Sequence, residues 1–164
     1  MDRRECVTEE LRKAVARIDD VLGPWGFAFT HDGVSSSHQG PYASGHYVRG
    51  NTRIGLACRD TIDNIDYSHS LVSVSPYCEE TERFTIGHDT LMRGIGALAD
   101  CWLVIAREDS GPTCVRARNG DDPVEAWKHD LLLAASVLKE PSDEFVAIMR
   151  RGARTYSVSP RGSG

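Results

Sequence analysis

Leu11, Val15, Ile18 and Leu22 recur at intervals of three and four, which places them on one face of a helix. Thr8 stands before them as the expected N-cap, and Gly23-Pro24 stops the run. Asp19 and Asp20 fall in the last turn, where the helix dipole prefers cations. The period then drops to two. Trp25, Phe27 and Phe29 alternate with Gly26, Ala28 and Thr30, a strand with one aromatic face. HDGVSSSHQGP, residues 31–41, reads as a loop by composition.

Gly50-Asn51 is a two-residue hairpin turn between YASGHYVR and TRIGLACR. It sets Tyr47 opposite Ile54, Gly45 opposite Leu56 and Ala43 opposite Cys58 on one side of the sheet. On the other side Val48 faces Arg53, His46 faces Gly55, Ser44 faces Ala57 and Tyr42 faces Arg59. Ile54, Leu56 and Cys58 mark the core side, so His46, Arg53, Arg59 and Tyr42 share the outer face. Asp63-Asn64 offers a second two-residue turn, bringing Ser68 and Ser70 to that outer face and Cys58 opposite His69.

A polar loop containing Glu79, Glu80 and Glu82 leads to a short helix over residues 88–99, weakened by Gly94 and Gly96. CWLVIA and TCVRAR, residues 101–106 and 113–118, read as strands joined by EDSGP. Asp122, Pro123 and Glu125 supply N-cap, N1 and N3 of the next helix. Its stripe is Val124, Trp127, Leu131, Ala134 and Leu138, ended by Pro141. Ser142 caps a final helix with Phe145, Ile148 and Met149 inside. The order implies an α+β fold. A single domain over residues 1–152 carries a meandering antiparallel sheet of about five to six strands, with the N-terminal and C-terminal helices on one face. Residues 153–164 form a flexible tail.

At 164 residues the chain can bury a core without disulfides or metals. MDRRECVTEELRK is charged from its second residue and contains no secretory h-region. The longest apolar run, LLLAASVL at residues 131–138, is short of a bilayer span. Five cysteines without a C-x-x-C pair point to reduced thiols and a cytoplasmic location. From Phe145 onward there are four arginines and no acid, which leaves 15 bases against 24 acids before it, a net of −9. Such a body repels nucleic acid and suits a basic protein partner.

Candidate chemistry is sparse. His46, Arg53, Arg59 and Tyr42 surround Ser44, Gly55 and Ala57 and form a shallow groove suited to an anionic group. Outer-face arginines also serve as plain solvation. Cys58 and His69 form a possible nucleophile–base pair, set against ordinary burial of a thiol. The histidines at 31, 38, 46, 69, 88 and 129 lack metal-site spacing. His31-Asp32 and His88-Asp89 are adjacent residues, which point apart, and the second pair starts a helix. Asp60, Asp63 and Asp66 read as turn residues. No glycine-rich nucleotide loop is present, and no cofactor is assigned.

The composition and pattern favour a small acidic cytoplasmic interaction protein without enzymatic activity, of which a bacterial immunity-type, toxin-neutralising protein is one form. The alternative is a small-ligand enzyme or sensor built on His46, Arg53, Arg59 and Tyr42. Nucleic-acid binding by the arginine-bearing tail ranks last.

Overall fold

Asp2, rather than Thr8, opens the first helix, α1 (Arg3–Leu22), in the computed structural model. Its side chain accepts from the Arg4 amide while Glu5 accepts from the Asp2 amide, a reciprocal capping box. Thr8 lies inside the helix and donates its hydroxyl to the Arg4 carbonyl at 3.0 Å. The structure describes residues 2–59, 62–74, 79–96, 122–140, 142–152 and 154–158.

Among the described residues six strands follow one another in spatial order, every pair antiparallel. They are β1 (Ala28–Ser37), β2 (Gly40–Arg49), β3 (Thr52–Cys58), β4 (Ile62–Val74), β5 (Glu79–Gly87) and β6 (Arg154–Val158). The described helices are α1, α2 (His88–Gly96), α3 (Pro123–Leu133), α4 (Ala135–Leu138) and α5 (Asp143–Gly152). CWLVIA and TCVRAR lie outside the described residues. Five of the residues assigned from sequence to the tail, Arg154–Val158, pair with β5.

The first hairpin has the expected register, with Tyr47 opposite Ile54 and His46 opposite Gly55. HDGVSSS is strand rather than loop, because its backbone pairs with β2 as far as Ser37 opposite Gly40. Its polar side chains suit an edge strand that covers little of the core. Glu79, Glu80 and Glu82 likewise belong to a strand, paired with Val74, Ser73 and Leu71. The β3–β4 turn comes earlier than Asp63-Asn64. Cys58 is opposite Ile62, and His69 is opposite Thr52, so the expected Cys58–His69 pair does not form.

The described helices pack on one side of the sheet. Tyr47, Ile54, Leu56, Ile65, Tyr67, Phe84 and Ile86 meet Leu11, Ile18, Leu91, Trp127, Leu131, Phe145 and Met149 in one buried cluster. Each such side chain contributes about 1.5–3 kcal/mol on leaving water. Asp19, awkward at the end of α1, accepts the Tyr47 hydroxyl at 2.8 Å. Burial raises the Tyr47 hydroxyl pKa far above its ordinary value, and the Asp19 carboxylate adds to the shift. Arg49 closes the far end. Its guanidinium lies 4.3 Å from the Phe27 ring and donates to the carbonyls of Trp25 and Lys139.

Asp122 caps α3 as expected, accepting from the Val124 amide. The stripe from Val124 to Leu138 is buried, but the helix breaks at Ala134, whose backbone leaves the helical region. Ser142 caps α5 by accepting from the Phe145 amide at 3.1 Å. Trp127 is core, and Trp25 packs partly buried against the core cluster.

Candidate functional site

The face of the sheet away from the helices carries the polar groups. One row across β1 to β4 is Thr30, His46, Gly55 and Asp66; the next is Ala28, Val48, Arg53, Ser68 and, on β5, Thr85. His46, Arg53, Arg59 and Tyr42 are therefore on the outer face, as the register of the first hairpin requires.

They do not converge. Tyr42 precedes His46 by four strand residues, about 13 Å at the usual rise. At the Tyr42 end, the Arg59 guanidinium lies 5.2 Å from the Tyr42 ring and donates to Ser37 Oγ at 2.8 Å. At the other end His46 and Arg53 belong to a cluster that includes two carboxylates missed by sequence reasoning.

Asp32 is the first. It is the extra residue in the register shift between His31 and Gly33, two positions beyond Thr30, so alternation sets it on the same outer face. Its two oxygens lie 2.8 and 2.9 Å from His46 Nδ1. In the neutral ring Nδ1 then donates to Asp32, and Nε2 is left as an acceptor. Arg53 reaches Asp32 from β3 at 3.5 Å, passing across β2. The His46 side chain is consequently 16% exposed, against 52% for Arg53.

Asp66 is the second. It is a β4 residue rather than a turn residue, opposite Gly55. Its carboxylate occupies the space above that glycine, where a Cβ would lie 2.7 Å from Oδ1. Gly55 is the residue that lets the acid lie flat on the sheet. Burial raises the Asp66 pKa, and Arg53 and the Gly55 amide oppose the shift. The folded state thus holds this proton more tightly than the unfolded chain. Its contribution to stability is present below the unfolded pKa and is lost as pH rises through the folded one. Asp66→Asn is expected to change stability relative to wild type more favourably at pH 7 than at pH 3. Denaturant midpoints of both proteins at the two pH values measure this, and the opposite order contradicts it.

A second polar group is internal. Trp127 Nε1 donates to the Tyr67 hydroxyl at 3.2 Å, and that hydroxyl is 2.8 Å from His88 Nδ1. His88 Nε2 is 2.7 Å from Asp130. His88 starts α2, as expected, but is 2% exposed. Its chain of hydrogen bonds joins β4, α2 and α3. Tyr67 is fully buried, so it has no access to a substrate.

His69 accepts or donates at Thr52 Oγ1, 3.0 Å away, and meets the Phe145 ring edge-on. Burial lowers its pKa. Among the described residues no three His, Cys, Asp or Glu side chains come together as a metal site. No described helix is long and apolar enough to cross a membrane. An open depression beside α1, lined by Arg4, Glu5, Thr8, Glu9, Arg12 and Val34, lies apart from the hairpin site.

No protein family matches the chain, and comparison with curated proteins and with solved structures finds no match.

Proposed function

We propose that the protein is a binding module that engages a basic protein partner across the outer face of its sheet. The observation that carries this reading is the Asp32–His46–Arg53–Asp66 cluster on an open face. One guanidinium serves two carboxylates there, and the helices pack on the opposite side. The anionic occupant expected at His46 and Arg53 would meet Asp32 and Asp66, which disfavour it. An acidic body of net −9 before Phe145 steers a cationic partner and weakens attraction to nucleic acid. Neutralising a basic toxin, as an immunity-type protein does, is one task that suits this surface. Cys6 is a free thiol, in keeping with a cytoplasmic location.

The second reading, a small-ligand enzyme or sensor, rests on the Asp32–His46 pair. There a carboxylate orients the imidazole and leaves Nε2 to exchange a proton.

Native mass spectrometry on the tagged protein recovered from lysate of its own source separates the two. The binding reading expects a stoichiometric basic protein released by raised salt. A retained small molecule with no protein partner overturns it in favour of the second.

A further inference from the structure

We infer that the open edge of β1, from Gly33 to Ser37, accepts an extended, uncharged segment of a partner protein as a further strand of the sheet. This surface is separate from the outer-face cluster and does not depend on the preceding reading.

β1 ends the sheet. β2 pairs one of its edges, and among the described residues no strand pairs the other. Ser35, Ser36 and Ser37 are exposed. Arg4 Nη2 reaches the Val34 carbonyl from α1 and donates to it at 3.4 Å, so that carbonyl points away from β2. Ser36, two residues on, turns its N–H and C=O the same way. Open edges are ordinarily blunted by a charge, a proline or a bulge. The register shift at Asp32 blunts the first half of β1, whereas Gly33, Val34, Ser35, Ser36 and Ser37 include neither charge nor proline and pair with β2 in unbroken register.

The space beside this edge sets the occupant. An open depression of about 360 Å³ lies between Val34 and the flank of α1 formed by Arg4, Glu5, Thr8, Glu9 and Arg12. A strand added to β1 turns every second side chain toward it. The two arginines and two glutamates of the lining balance in charge. Glu9 pairs with Arg12 at 2.7 Å, and Glu5 accepts from the Asp2 amide. Such a lining favours an uncharged side chain of valine or threonine size, while main-chain hydrogen bonds along the edge supply the affinity. Arg4 is exposed and yields the Val34 carbonyl to the incoming N–H. A second copy of the chain is disfavoured, because each carries a net charge of −5.

The probe is a capped pentapeptide, Ser-Val-Thr-Val-Ser, titrated to about 10 mM against the whole chain and followed by backbone NMR. The amides of Val34 and Ser36 are expected to move downfield, saturate and exchange more slowly with solvent. The same peptide N-methylated at its three internal residues should bind about tenfold more weakly or worse, because strand addition uses its N–H groups. Ser36→Pro removes an N–H that faces away from β2 and should weaken binding about tenfold, while His46 and Tyr47, opposite β1 in the ladder, keep their resonances.

No shift at Val34 and Ser36, equal binding of the N-methylated peptide, or equal binding by Ser36→Pro with the ladder intact overturns the proposal. Shifts at Val34 and Ser36 that grow with protein concentration without peptide make a second copy the occupant, and overturn it as well.

Discussion

Tyr67→Phe is expected to lower the unfolding free energy by about 3 kcal/mol, although it removes one oxygen atom. That oxygen is the junction of a buried chain. It accepts from Trp127 Nε1 and meets His88 Nδ1, whose opposite nitrogen is held by Asp130. The indole N–H can only donate, so the phenol proton points to Nδ1 and the imidazole gives its own proton to Asp130. In that arrangement every group is satisfied. Phenylalanine leaves two buried polar atoms without partners, each costing about 1–3 kcal/mol. Burial raises the Tyr67 hydroxyl pKa well above its ordinary value, so the hydroxyl stays protonated as the chain requires. Urea unfolding of the variant gives the number. A loss below about 0.5 kcal/mol would mean that water reaches and satisfies the orphaned atoms.

Gly45→Ala is the second large effect, expected near 2–3 kcal/mol from overpacking alone. A Cβ at this core-facing position would lie 2.3 Å from Phe29 Cζ and 2.8 Å from the Thr30 carbonyl oxygen. The ring could rotate. The carbonyl belongs to the β1 ladder, and moving it breaks the pairing of Thr30 with His46. Phe29 also packs against Tyr47 with ring centroids 5.1 Å apart, so displacement spreads into the core. Shortening the ring should relieve part of the clash. Gly45→Ala made in a Phe29→Leu background should cost at least 1 kcal/mol less than in wild type, measured as a double-mutant cycle. Strict additivity would contradict this account.

The first hairpin was legible because turn chemistry and alternation agree. Gly50-Asn51 fixes the register, Ile54, Leu56 and Cys58 fix the buried side, and His46, Arg53, Arg59 and Tyr42 then have no choice of face. The second hairpin misleads because Asp63-Asn64 has turn composition but is occupied by strand. Ile62 and Ile65 are both buried although three residues apart, an odd spacing that a regular strand does not permit. The register shift between Ala57 and Cys58 resolves it. The slip from the expected pairing is even, so Ser68 keeps its face while Cys58 loses His69 as its partner.

Asp32 lies in a stretch whose composition reads as a loop; once that stretch is strand, alternation from Thr30 sets it on the face of His46. Asp66 had a local signal. It follows Ile65 and precedes Tyr67, both buried, which assigns it to the solvent face of a strand. The Asp2–Glu5 capping box was also written in the sequence, three residues apart. The acids of β5 hide its period, and alternation emerges only at Phe84 and Ile86.

The central claim is that a partner binds the outer sheet face rather than the helical side, where Leu132 and Leu133 are 61% and 56% exposed. The most direct test compares Ala57→Arg with Leu132→Arg for retention of the captured basic protein. Ala57 lies on the outer face between Ser44 and Asn64, and an arginine there repels a cationic partner and stands in its path. The account expects Ala57→Arg to abolish retention and Leu132→Arg to leave it at the wild-type level. Retention by Ala57→Arg with loss in Leu132→Arg would place the interface on the helices and contradict it.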